Sequence, residues 1–120
     1  MVRHRTDSLP ALADADRDLI ERWLDQHWSH TGASANTLAA YRADLEGFAR
    51  WLAGAERSAG TATSLAGFDR ARVYAYLAWR LQAGYSARSN ARLLSCLRGF
   101  GQWLVDSGQA GSNPVALMEP

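Results

Sequence analysis

Apolar residues recur at spacings of three and four in four separate segments of the chain, and a glycine follows each segment. That period is helical, and glycine just beyond the last apolar position is a common helix stop. The first segment, about residues 16–30, sets Leu19, Ile20, Trp23, Leu24, His27 and Trp28 on one stripe before Gly32. The second, about 35–53, follows Ser34 as an N-cap and carries Leu38, Tyr41, Leu45, Phe48 and Leu52, with Trp51 at the edge and Gly54 as its stop. The third, about 70–83, opens with Asp69 as cap and a hydrophobic staple between Phe68 and Val73, and its stripe is Val73, Tyr76, Leu77, Arg80 by its stem, and Leu81. The fourth, about 87–107, follows the Ser86 cap and has the cleanest face: Leu93, Leu94, Leu97, Phe100 and Leu104.

Short connections join the first helix to the second and the third to the fourth, which predicts two αα-hairpins packed together. The fold class is therefore all-α, a four-helix bundle. Residues 55–67 are small and polar apart from Leu65, so they predict a loop with one residue docked on the core. Residues 1–15 lack caps or period and predict a flexible lead-in to a domain over 16–120, while Asn113-Pro114 opens a short terminal turn or helix through Met118.

At 120 residues the chain has room for one domain, which excludes a multidomain enzyme. The lone cysteine, Cys96, rules out an internal disulfide and a multi-thiolate zinc site, and fits a reducing compartment. No apolar run approaches the roughly 18–20 residues that span a bilayer, and the polar start is unlike a secretory signal. These features predict a cytoplasmic location and no membrane partner.

A net charge of +1 conceals a strong asymmetry. Residues 1–56 carry six arginines against nine acids, whereas residues 70–105 carry six arginines and no acid. A one-sign stretch attracts an anionic polymer, although a solvated helix face has the same composition.

Several chemistries are excluded by spacing. Asp14, Asp16, Asp18 and Asp25 fall on an EF-hand register, but Leu19 stands where the calcium loop turns on glycine. These acids are read as charges complementing the helix dipole. His27 and His30 share a face without a third ligand, and Cys96 sits beside Leu93 and Leu97 as a small core-edge residue without catalytic context. No cofactor or metal is called for, and no nucleophile or acid–base set emerges.

Laid out at about 100° per residue, the fourth helix places Arg88, Arg92, Ser95, Gly99 and Gln102 opposite its apolar face. Two arginines one turn apart, near the Ser86 and Ser89 hydroxyls, form a ridge of donors suited to a DNA groove. On the second helix Asn36 points away from the stripe and Thr37 and Arg42 flank it, donors with no acid nearby until Asp44. Tyr41 lies on the core stripe and has only its hydroxyl to offer.

The run Asn36-Thr37-Leu38-Ala39-Ala40-Tyr41-Arg42-Ala43-Asp44-Leu45-Glu46-Gly47-Phe48-Ala49-Arg50-Trp51-Leu52 resembles the Thr-x-x-x-Tyr-x-x-Asp-Leu-x-x-Phe-x-x-Trp-Leu helix of the tyrosine recombinase (phage integrase-like) core-binding domain. Ala91-Arg92-Leu93-Leu94-Ser95-Cys96-Leu97-Arg98 is similar to the last long helix of its Xer-type members, and Asn113-Pro114 to its exit. The resemblance covers about residues 18–118 and implies a SAM-like bundle that grips a recombination half-site in double-stranded DNA, with neighbouring protomers touching through it. It places Thr37, Tyr41 and Arg42 on the DNA-facing start of the second helix, and Arg88, Ser89 and Arg92 on that of the fourth. One departure is Gly99-Phe100-Gly101, where the family commonly has bulky residues, so packing at Gly101 is left open. The family's Arg, Lys, His and Tyr catalytic set would follow the exit, and Tyr41, Tyr74, Tyr76 and Tyr85 all lie in or beside binding-domain helices. The implied role of this chain is to bind DNA without cutting it, in a recombinase serving chromosome dimer resolution or integration. The alternative is a helical protein-interaction module that docks a partner through exposed aromatics such as Trp51 and Trp103.

Overall fold

A computed structural model describes residues 9–59 and 64–118, and among these there are four helices and no strand. They are α1 (Asp14–Thr31), α2 (Ala35–Ala59), α3 (Arg70–Gln82) and α4 (Ala87–Asp106). Helix α2 touches all three others, so the two hairpins α1–α2 and α3–α4 share one core built around it. Leu45, Phe48 and Leu52 of α2 are fully buried, facing Ile20 and Trp23 of α1, Val73 and Tyr76 of α3, and Leu93, Leu97 and Phe100 of α4 in a single cluster. Aromatic rings hold this centre edge to face: Phe48 meets Phe68 at 5.2 Å and Trp23 meets Phe100 at 5.8 Å.

The predicted caps form. Ser34 Oγ accepts the Thr37 amide (3.1 Å), Asp69 Oδ1 the Arg72 amide (2.9 Å) and Ser86 Oγ the Ser89 amide (3.1 Å). Gly32, Gly84 and Gly108 take positive φ at the ends of α1, α3 and α4, as a left-handed stop requires.

Gly54 does not act as a stop. Helix α2 runs on to Ala59, and a Cβ at position 54 would meet Pro10 Cδ at 3.2 Å, so the glycine admits a crossing chain. Leu9 and Pro10 are held there by Arg50, whose Nε donates to the Pro10 carbonyl (2.7 Å) and Nη2 to that of Leu9 (3.1 Å). The rest of the lead-in, residues 1–8, and residues 60–63 of the loop lie outside the described residues. Leu65 docks on the core as expected and is fully buried.

Asp16 has a second task beyond the helix dipole. Its carboxylate is buried and accepts the Leu65 amide at 3.0 Å, tying the loop before α3 to the first turn of α1. Burial raises its pKa, more than the amide bond lowers it.

Three apolar positions depart from the predicted stripes. Trp28 is 59% exposed because the last turn of α1 projects into solvent, and Leu81 is 55% exposed because Arg80 takes the inward place one turn after Tyr76. Cys96 is fully buried, within the core and not at its edge, with its Sγ 3.8 Å from the Tyr41 carbonyl. Desolvation there lifts the thiol pKa well above its ordinary value.

Candidate nucleic-acid interface

Helices α2 and α4 begin with the same arrangement, Ser34-Ala35-Asn36-Thr37 and Ser86-Ala87-Arg88-Ser89. In each the cap serine binds the amide and also the hydroxyl three residues on: Ser34 Oγ donates to Thr37 Oγ1 (3.0 Å) and Ser86 Oγ to Ser89 Oγ (3.2 Å). Thr37 and Ser89 are half-buried, and their side chains serve the helix starts on which they sit. The first-turn amides ahead of them have no intrahelical acceptor.

The arginines are not the unopposed donors that local sequence implied. Arg42 forms a bidentate pair with Glu21 of α1, Nε to Oε2 at 2.7 Å and Nη2 to Oε1 at 2.8 Å. The hydrogen bond from Arg42 holds the Glu21 carboxyl below the usual range, and Glu21 in turn raises the Arg42 pKa. Arg92 forms a second bidentate pair with Asp44 of α2, Nε to Oδ2 at 2.9 Å and Nη2 to Oδ1 at 2.7 Å, which raises the Arg92 pKa. The acids come from other helices, which is why the acid-free stretch 70–105 overstates the surface charge. Arg88 is exposed and makes no ion pair among the described residues.

Tyr41 and Arg92 lie on either side of the α2–α4 contact, close enough for the Arg92 charge to act on the Tyr41 hydroxyl, although burial dominates and raises the Tyr41 pKa. The Tyr41 ring stacks on Trp23 at 5.8 Å and meets His27 at 5.6 Å, so its apolar body belongs to the core, as its position on the stripe predicts. Arg42 turns instead toward α1. Arg88 and Ser89 sit at the first turn of α4.

Asp44 and Arg80 escaped the sequence reading as a site. Arg80 is wholly buried, not merely by its stem, and its Nη1 stands 3.8 Å from Asp44 Oδ1. Its guanidinium lies over the Tyr85 ring at 4.2 Å and the Tyr76 ring at 5.7 Å. Burial raises the Tyr76 hydroxyl pKa. A cavity of about 310 Å³ opens beside this cluster, lined by Asp44, Glu46, Gly47, Arg50, Tyr76, Arg80, Tyr85 and Arg92 among others, and Arg80 Nε has no hydrogen-bond partner among the described residues. The available signal was an arginine on an apolar stripe together with an acid immediately before core Leu45. Among the described residues no group of three or more His, Cys, Asp or Glu is arranged to hold a metal.

Trp51 and Trp103 are not the exposed anchors that a protein-docking module would need. Trp51 packs on Tyr76 at 5.2 Å, and Trp103 packs on Phe100 at 5.9 Å with Arg22 over its ring. No helix among the described residues is long and apolar enough to cross a membrane.

Comparison with known proteins matches residues 20–108 to the phage integrase, N-terminal SAM-like domain family. The chain is 44% identical over 118 residues to the tyrosine recombinase XerD of Xanthomonas campestris, covering 98% of this chain and 35% of that protein. It is 40% identical over 108 residues to XerD of Pseudomonas aeruginosa, covering 90% of this chain and 34% of that protein. With the tyrosine recombinase XerC of Xylella fastidiosa the identity is 41% over 85 residues, 71% of this chain and 27% of that protein. The chain thus spans about a third of the length of these relatives. No solved structure matches it. With α1, α3 and α4 packed around α2 and a family match over most of the bundle, the chain belongs to the phage integrase N-terminal SAM-like domains, as the N-terminal domain of a Xer-type recombinase.

Proposed function

We propose that this domain grips a recombination half-site in duplex DNA, while a catalytic domain elsewhere in the recombinase cuts and rejoins strands. The observation that carries this reading is the family match over residues 20–108 together with relatives named as tyrosine recombinases. The structure adds a physical basis. Two Ser-capped helix starts offer amides to phosphates, and Arg42, Arg88 and Arg92 lie in the N-terminal halves of those same helices. Thr37, Tyr41 and Ser89 complete the proposed contact set. Other recombinase protomers are its partners on DNA, and the cytoplasm is its compartment. Strand exchange belongs to the whole recombinase, and the share of this domain is affinity and register on the half-site.

The decisive experiment is a salt titration of binding to a duplex that the chain itself selects from a random library. Phosphate contacts release counterions, so log affinity falls linearly with log salt. Binding that ignores salt, or no binding at low ionic strength, overturns the proposal.

A further inference from the structure

Asp44 sits where α3 and α4 both meet α2, and only 3% of its side chain is exposed, whereas 46% of the Arg92 side chain is exposed. The Nε and Nη2 edge of Arg92 is taken by the carboxylate. A guanidinium has five N–H donors in one plane, so the end-on edge, Nη1 with the second hydrogen of Nη2, remains and points away from the acid. That edge matches two adjacent acceptors, either phosphate oxygens or the O6 and N7 of guanine.

A simple acid–arginine pair would cancel the charge that it presents. Here the buried Arg80 stands behind Asp44, 3.8 Å from Oδ1. The charged groups lining the adjoining cavity are Asp44, Glu46, Arg50, Arg80 and Arg92, so three cations face two acids and the cluster stays positive. The Arg42–Glu21 pair lacks this construction: both side chains are more than 40% exposed, and the other cation acting on Glu21, Arg17, is exposed, not buried behind the acid.

We infer that Asp44 is a positioning residue, holding Arg92 so that its end-on edge is a pre-oriented fork for the O6 and N7 of a guanine in duplex DNA. The inference rests on the proposed function and adds to it a determinant of specificity that itself touches no DNA. Holding the fork in advance removes freedom that a loose arginine would lose on binding, and it confines the donors to one direction.

The test measures the affinity of the full chain for its selected duplex and for a scrambled duplex of the same composition. Asp44→Asn should lower the ratio of the two by about tenfold or more, while affinity for the scrambled duplex holds or rises because an acid has been removed. An acid that acts only through stability would lower both affinities together. Arg92→Lys keeps the charge without the fork, should lose the same ratio, and decides the matter if Asp44→Asn fails to fold by circular dichroism. 7-Deazaguanine placed singly in the selected duplex locates the acceptor, as the substitution that abolishes the difference between wild type and Arg92→Lys; a methylphosphonate that does so instead marks a phosphate contact, which carries no sequence information, and overturns the inference. An unchanged ratio in folded Asp44→Asn and in Arg92→Lys overturns the inference, as does a wild type that binds both duplexes equally. A wild type that binds neither overturns the DNA-binding reading itself.

Discussion

The side-chain oxygen of Asn113 occupies the place where residue 101 would carry a Cβ, and Gly101 is what allows it to be there. From that position Asn113 Nδ2 donates to the Arg98 carbonyl (3.1 Å) and Oδ1 accepts the Val115 amide (3.2 Å). Arg98 in turn donates to the Met118 carbonyl, and Val115 and Met118 are buried. The packing left open at Gly101 is therefore filled by the exit segment. The glycine that weakens α4 by propensity lets the chain leave α4 along a pinned course.

Gly101→Ala should destabilise the domain by about 1–3 kcal/mol through overpacking, even though alanine is the better helix former by about 1 kcal/mol. Urea unfolding measures this. Adding Asn113→Gly should recover part of the loss, since the two residues compete for one space and their effects cannot be additive.

Asp44→Ala should cost about 3–5 kcal/mol, because it strands the buried Arg80 and releases Arg92. Combining it with Arg80→Met should return much of that stability by removing the buried cation. Equilibrium denaturation of the single and double variants reads both values, and a double variant as weak as Asp44→Ala would reject the account.

Asp16 and Glu21 should give pH dependences of opposite sign. The folded-state pKa of Asp16 is raised by burial, so the native state binds its proton more tightly than the unfolded chain does. Its contribution to stability is most favourable at low pH and declines as pH rises through the ordinary carboxylate range to the raised folded value. Asp16→Asn keeps an acceptor for the Leu65 amide and should remove this decline. Glu21 is lowered by its hydrogen bond from Arg42, so its contribution is present above 4.5 and lost as pH falls through the folded value. Glu21→Gln should remove that acid-side loss. Stability measured from pH 3 to pH 7 on the three proteins checks both signs.

Cys96 should resist thiol reagents in the native protein. It is fully buried and its pKa is raised by desolvation, so little thiolate forms and none is accessible. Labelling with a chromogenic disulfide should follow the rate of opening, accelerating in denaturant; rapid native labelling would contradict its place in the core.

On the DNA side, Arg88→Ala should reduce the slope of log affinity against log salt by about 1, the signature of one lost phosphate contact. Glu21→Gln should strengthen binding by removing an acid that occupies Arg42. A salt series on each variant reads both effects.

Much of this molecule was written in local patterns. The stripes, the caps Ser34, Asp69 and Ser86, and the stops Gly32, Gly84 and Gly108 each depend on residues within a turn or two of one another. Four helices in two hairpins follow from them, and so does the basic stretch. Gly54 was misleading because a glycine that ends a helix and one that admits a crossing chain look the same in sequence. Trp28 and Leu81 were misleading because helical period tells which residues share a face, and only the neighbouring helices decide how far along that face the core extends.

What tertiary structure alone decided is the company kept by the charges. Arg42 meets Glu21 across 21 positions, Arg92 meets Asp44 across 48, and Asp16 meets the Leu65 amide across 49. No local rule pairs residues so far apart, since their approach depends on how α1, α3 and α4 cross α2. The sequence by itself determined the helices and the family. The crossing of those helices determined which arginines are held, by which acids, and therefore which donors remain to face DNA.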